Sequence, residues 1–251
     1  MISLKTNEWE INNIESILFD KDGTFIDLHY FWGKMTELRV EEIIKKYRLD
    51  FSTKSILCSK LGYNIEKGKM LSDGITAMYS RQKIIAIFKN DLRDFDVYIT
   101  EEELEEIFDK VSNDFYKNMN EYTKPLSDAI EFIKKIKELN IKTAIVTADS
   151  IVSTEKTIKQ FGWENLFDIV VGRESSIQGK ESGVPAKLAI DKLNANPKTT
   201  IMIGDAPTDY ICAKNAGIEK TILVATGQVE KEELKKFSNY TVKTLADIEI
   251  I

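Results

Sequence analysis

At 251 residues, 43% apolar and 30% charged, the chain is long enough for one large α/β domain or for a core carrying an insert. A net charge of −6 repels nucleic acid and anionic membrane surfaces, so neither is expected as a partner. No apolar run approaches the roughly 20 residues that span a bilayer, and no basic-then-apolar leader follows Met1, so a cytoplasmic protein is expected.

The first thirteen residues show no clear period, and an edge strand around Trp9 and Ile11 is expected there. Ser16-Ile17-Leu18-Phe19 is an apolar run that stops on Asp20-Lys21-Asp22-Gly23-Thr24, the pattern of a buried strand delivering two acids to its tip. Asp20 and Asp22, two apart in extended chain, point roughly the same way, toward one bound cation or reacting phosphorus. A carboxylate on a rigid strand end is suited to nucleophilic attack, and a neighbour held protonated can hand a proton to a leaving oxygen. The plain alternative is an acidic turn, with Asp22-Gly23 as its turn residues.

From residue 30 to 47 apolar residues recur at helical spacing (Phe31, Met35, Leu38, Ile43, Tyr47), and further helices are expected over 52–61, 75–88 and 101–119. Thr100 and Glu103 stand in capping-box positions for the last of these. Nothing in this stretch reads as a strand. An all-helical insert is therefore expected over residues 29–122, with Pro125 marking the return and residues 1–28 and 123–251 forming the core.

Beyond it the pattern alternates. Helices over 126–139, up to 161, over 186–193 and over 208–216 precede strands over 142–146, 167–171, 200–203 and 221–224, and a short edge strand is expected at 240–242. Five apolar strands, four of them fed by helices, specify an α/β fold with a doubly wound parallel sheet, since parallel strands need crossover connections. Ligands in such sheets bind at the carboxyl ends of the strands, where Asp20, Asp22, Thr147 and Asp205 all lie.

Cys58 and Cys212 are the only cysteines and His29 the only histidine. A zinc site, thiol catalysis and a Ser-His-Asp triad thus have little support, and chemistry must rest on carboxylates, lysines and hydroxyls. Three acids at strand tips suit magnesium, with Asp20, a carbonyl of Asp22 and Asp205 supplying part of an oxygen octahedron. Thr147 offers a hydroxyl and the Ala148 amide, near a helix start, a second donor for phosphate oxygens; Thr147 as a capping hydroxyl is the alternative. Asp209 is either a first-turn helix acid after Pro207 or a group that orients Asp205 or a lysine at the metal.

These residues resemble the haloacid dehalogenase-like hydrolases, specifically the phosphatase branch with a helical cap after the first strand, similar to phosphoglycolate phosphatases. FDKDGT at 19–24 is similar to that family's first motif, IVTADS at 145–150 to the second, and IGDAPTD at 203–209 to the fourth. The resemblance implies a Rossmann-like core, Asp20 as nucleophile, Asp22 as general acid and base, Thr147 as a phosphate ligand and Asp205 as a magnesium ligand. It implies a small phosphorylated metabolite as substrate and a monomer or small homo-oligomer. Dehalogenases lack the second acid, because a halide leaves without a proton, so Asp22 favours a phosphate ester. Phosphonoacetaldehyde hydrolases use a cap lysine as Schiff base, whereas Lys34 reads as a solvated helix-face charge. A sugar phosphomutase on the same fold is the alternative function, and a non-catalytic binding module a lesser one.

The family's third motif departs from its usual Lys-Pro. Lys180 is followed by Glu181, and Lys187 lies beyond Pro185. Lys180 follows Gly179 in a loop and can reach the strand tips, whereas Lys187, seven residues on, stands about two helical turns away, so Lys180 is expected to balance the charge of Asp20 and phosphate. His29 and Arg81, at the start of the insert and in one of its helices, are candidates for substrate selection. Cap core for Tyr30 and Trp32, and a solvated Arg81, are the plain alternatives.

Overall fold

In a computed structural model describing residues 1–251, strands β1 (Ile2–Lys5) and β2 (Glu10–Ile14) form an antiparallel hairpin, and β3 (Ser16–Phe19) follows after one residue. Every residue of β3 is buried, as its unbroken apolar run requires for a central parallel strand. The chain divides into two compact units, one of Met1–Asp27 with Pro125–Ile251 and one of Leu28–Lys124.

The second unit is mostly helical: α1 (Leu28–Tyr47), α2 (Lys54–Lys60), α3 (Ile75–Met78), α4 (Arg81–Asp91), α5 (Glu101–Lys117) and α6 (Met119–Tyr122). Its own apolar core joins Val40, Ile43, Leu57, Phe88, Leu104 and Phe108. The capping box of α5 is present, with Thr100 accepting from the Glu103 amide at 3.2 Å and Glu103 accepting from the Thr100 amide at 3.1 Å. Two expectations are corrected here. A two-residue hairpin, β4 (Tyr63–Asn64) with β5 (Lys69–Met70), lies within the stretch read as free of strands. The helix expected over 75–88 is broken where Tyr79 and Ser80 are extended, Ser80 standing at the start of α4.

The first unit resumes with α7 (Ser127–Glu138), β6 (Lys142–Val146), α8 (Ile151–Phe161), β7 (Ile169–Val171), α9 (Val184–Leu193), β8 (Thr200–Gly204), α10 (Pro207–Asn215), β9 (Lys220–Val224), α11 (Lys231–Leu234), β10 (Thr241–Val242) and β11 (Glu249–Ile250). The main sheet has the order β10-β9-β8-β3-β6-β7, and all its pairs are parallel. The opening segment is not an edge of this sheet: β1 and β2 pair with β11 in a separate antiparallel sheet. Leu18, Ala144, Val146 and Met202 pack against the Ala186, Ala189, Cys212 and Ala213 faces of α9 and α10. Small residues at those helix positions let the helices lie close on the sheet. Phe19 aligns with Ile145 of β6 and Ile203 of β8, so the first residues past all three strands arrive at nearly one level.

Candidate active site

The tip of β3 is shaped by its own backbone. The Asp20 amide donates to the Ile203 carbonyl at 2.8 Å, continuing the ladder by one step, and the chain then curls so that the amides of Thr24, Phe25 and Ile26 converge on the Lys21 carbonyl at 3.3, 3.1 and 3.1 Å. Gly23, at φ +89°, makes the turn, and an added Cβ would stand 2.4 Å from Asp205 Oδ2. The curl buries Lys21 completely, leaves Asp20 at 7% exposure and keeps Asp22 largely covered.

Carboxylates of Asp20, Asp205 and Asp209 gather there, with ligand atoms within 4.8 Å of one another and all three residues buried. Asp205 follows β8 and Asp209 lies in the first turn of α10. Glycines make room for both: a Cβ on Gly227 would fall 1.7 Å from Asp205 Oδ2, and one on Gly204 would fall 2.1 Å from Asp209 Cγ. Lys180 comes in from the loop after β7. Its Nζ lies 2.5 Å from Asp20 Oδ1 and 2.6 Å from Asp209 Oδ1. Asp209 Oδ2 accepts from the Ala206 amide at 3.0 Å, so both of its oxygens are engaged, an arrangement that orients Lys180 and the α10 start. Lys187, on α9, is exposed.

A second ion cluster adjoins the first. Lys21 Nζ lies 2.5 Å from Asp22 Oδ1 and 3.1 Å from Asp149 Oδ2. Asp149, just before α8, also accepts from the Ser150 amide at 2.7 Å. Thr147, past the end of β6, is buried, and its Oγ1 accepts from the Asp149 amide at 3.1 Å, while Ala148 between them is exposed. Lys21 lies within FDKDGT and Asp149 within IVTADS, and neither is among the site residues expected from the sequence. The available signal was a lysine between two acids immediately after a buried strand, where no solvent remains to hold its charge.

Burial sets the ionisation of these groups. It raises Asp20 to about 6, against the pull of Lys180 and with the push of Asp209. It raises Asp22 to about 6 as well, against Lys21. Asp205 is pushed well above the ordinary carboxylate range, first by burial and then by the charges of Asp20 and Asp209. Burial would raise Asp149 too, but Lys21, Ser153 and the Ser150 amide outweigh it and hold it low. Buried carboxylates of Asp20, Asp205 and Asp209 gathered within 4.8 Å of one another are the donor set that a hard divalent cation neutralises. The thiols take no part: burial pushes Cys58 up to about 12 and Cys212 to about 11.

The candidate specificity residues lie in the second unit. His29 Nδ1 accepts from the Met70 amide at 3.1 Å, which fixes the ring against β5. Arg81 pairs with Asp109 at 2.6 Å and Glu105 at 3.7 Å, both on α5.

A parallel sheet with buried acids and ammonium groups at the ends of its central strands defines an α/β core with a ligand-binding site at the strand tips. The chain belongs to the haloacid dehalogenase-like hydrolases, whose family model matches residues 14–217. It is 25% identical over 236 residues to the pyrophosphatase PpaX of Halalkalibacterium halodurans, covering 94% of this chain and 95% of that one. It is 26% identical over 214 residues to the phosphoglycolate phosphatase of Aquifex aeolicus, covering 85% and 86%. Among solved structures it matches a protein from Haemophilus somnus described as a predicted phosphoglycolate phosphatase, at TM-score 0.72 and 16% identity over 94% of this chain and 97% of the other. A Thermotoga maritima structure provisionally described as a beta-phosphoglucomutase matches at TM-score 0.70 and 16% identity, over 93% and 96%. With the family and its phosphatase relatives, the chain is a hydrolase of the phosphatase type.

Proposed function

We propose that the protein is a magnesium-dependent phosphatase that hydrolyses a small phosphate monoester through an aspartyl-phosphate. The observation that carries this reading is the joint placement of Asp20, Asp205 and Asp209 around one point, with Lys180 between Asp20 and Asp209 and Asp22 held beside them. Magnesium, when bound by Asp20, Asp205 and the Asp22 carbonyl, would supply the positive charge that lets a phosphate dianion approach these carboxylates.

Asp20 attacks phosphorus through a carboxylate oxygen, and the ester P–O bond breaks as Asp22 gives its proton to the departing alkoxide. Asp22 then takes a proton from water, the water oxygen bonds to phosphorus, and the bond to Asp20 breaks to release phosphate and regenerate the carboxylate. Lys180 balances the charge shared by Asp20 and the transferring phosphoryl group, and Thr147 and Ala148 donate to its remaining oxygens. Asp209 holds Lys180. His29 and Arg81 are assigned to substrate selection, in which case their replacement by alanine raises KM unevenly across a panel of esters.

Phosphoglycolate and sugar phosphates represent the substrate class. Pyrophosphate enters as a second reading, supported by the PpaX relative that matches nearly end to end. The phosphomutase alternative rests on a likeness of fold alone. Phosphate release from phosphoglycolate, sugar phosphates and pyrophosphate, with and without magnesium, tests the proposal. Magnesium-dependent release supports a phosphatase, and its preferred ester or anhydride names the class. Interconversion of sugar phosphates without release would replace it by a mutase, and no turnover of any kind would leave a binding module.

A further inference from the structure

Four of the five acids of the site are divided between two buried ammonium groups. Lys180 lies against Asp20 and Asp209, and Lys21 against Asp22 and Asp149. The division bears on a geometric problem that the proposed reaction creates, and the inference rests on that reading. Asp22 stands two residues from Asp20, and a free carboxylate there would be drawn into the cation cluster, where it would ligate instead of delivering a proton. Yet the gathered carboxylates are those of Asp20, Asp205 and Asp209, and the Asp22 carboxylate is not among them. Its Oδ1 is 2.5 Å from the Lys21 ammonium, which is also 3.1 Å from Asp149.

Asp149 is well fixed for such a task. Its Oδ1 accepts from the Ser150 amide at 2.7 Å, its own amide donates to Thr147 Oγ1 at 3.1 Å, and its carbonyl accepts from the Arg173 amide at 2.9 Å. Three hydrogen bonds tie it to the ends of β6 and β7 and the start of α8. The Lys21 carbonyl is held by three amides of the following turn. Lys21 is thus anchored at the backbone and, through Asp149, at the ammonium, with no exposed surface for its stem to move in.

From this the geometry points to Lys21 and Asp149 as positioning residues that hold the Asp22 carboxylate away from the cation and toward the leaving group. Neither touches the reacting atoms. The prediction is selective, because an aryl ester such as 4-nitrophenyl phosphate expels a leaving group that needs no proton, whereas an alkyl ester does. Lys21→Met therefore lowers kcat/KM for an alkyl phosphate by about 100-fold and for 4-nitrophenyl phosphate by less than about threefold. Asp149→Asn acts the same way, more weakly.

Removing Lys21 alone leaves two buried carboxylates facing each other, so the decisive variant is Lys21→Met with Asp149→Asn, which keeps the local net charge. The alkyl-to-aryl ratio of that double variant, with folding checked by circular dichroism, is the measurement. A ratio still depressed by about 100-fold, and no further depression when Lys21→Met is added to Asp22→Asn, supports the inference. A parental ratio in the folded double variant, or equal losses on both esters in Lys21→Met, overturns it and makes Lys21 merely a stabilising buried charge. Asp20→Asn separates the two levels: if it retains turnover of both esters, the reaction itself is misassigned, independently of Lys21.

Discussion

Asp20 and Asp22 are the same residue type two positions apart, and what distinguishes them is the company each keeps. Asp20 faces Lys180 and two further acids, Asp22 faces Lys21. Asp20→Asn is nearly isosteric and removes the oxygen proposed to attack phosphorus, so single-turnover assays should show at least a ~1000-fold loss with no change in the far-ultraviolet spectrum. Asp22→Asn should lose about 10²- to 10⁴-fold in kcat on alkyl esters while phosphate still binds, as competition by inorganic phosphate would report. Lys180→Met should lose most of kcat/KM, since the Asp20 and Asp209 charges are then unbalanced, whereas Lys187→Met, on an exposed helix face, should be nearly silent.

The raised carboxyl of Asp20, at about 6, also predicts a pH dependence. The folded, ion-free protein holds that proton more tightly than the unfolded chain, whose carboxyl titrates near its ordinary value. The ion-free protein therefore gains stability as pH falls from about 7 toward about 4. Asp149, held low, works the other way: its contribution is complete above the ordinary carboxylate value and is lost as pH falls through its lower folded value. If the acid cluster holds magnesium as proposed, the ion needs the carboxylate form, and its affinity should weaken below about pH 6. Melting curves with and without magnesium at about pH 7.5 and about pH 5 check this: the magnesium-induced rise should be the larger at the higher pH.

At the scale of elements, what was legible in the sequence followed from strong periodicity. The strand over 142–146 is observed as Lys142–Val146, and the helix expected up to residue 161 ends there, at Phe161 before Gly162 in left-handed geometry. The sequence placed acids past strand ends, and the sheet brings Asp20, Asp205 and Asp209 into one cluster because β3 lies between β6 and β8 in register. The hairpin at Tyr63–Met70 escaped because strands of two residues carry no alternation to read. The sheet of β1, β2 and β11 escaped for a different reason: its partners lie at opposite ends of the chain, and no local pattern specifies such a pairing. The Lys21–Asp149 contact is equally non-local. The α5 cap, by contrast, is wholly local. Thr100→Ala removes the hydroxyl that accepts from the Glu103 amide and should cost about 1 kcal/mol of stability in the second unit, read as a lower melting temperature with kcat unchanged.

At the scale of the whole molecule, two units with separate apolar cores are joined where the chain passes from Asp27 to Leu28 and from Lys124 to Pro125. The acid cluster belongs to the first unit alone, so a cation bound there stabilises that unit directly by mass action, about 2.7 kcal/mol at a hundred times its dissociation constant. Hydrogen exchange followed by residue should report it. Magnesium should slow exchange of the most protected amides of β3, β6 and β8, and Asp205→Asn should abolish that slowing. A second variant separates loss of a ligand from loss of its place. Gly227→Ala keeps all five acids, but its methyl group would stand 1.7 Å from where Asp205 Oδ2 now lies, so that carboxylate must shift and is expected to leave the cluster. It should lose magnesium protection about as completely as Asp205→Asn while the α5 amides keep their parental exchange. If Gly227→Ala retained parental magnesium protection, Asp205 would not be the group through which the cation stabilises this unit.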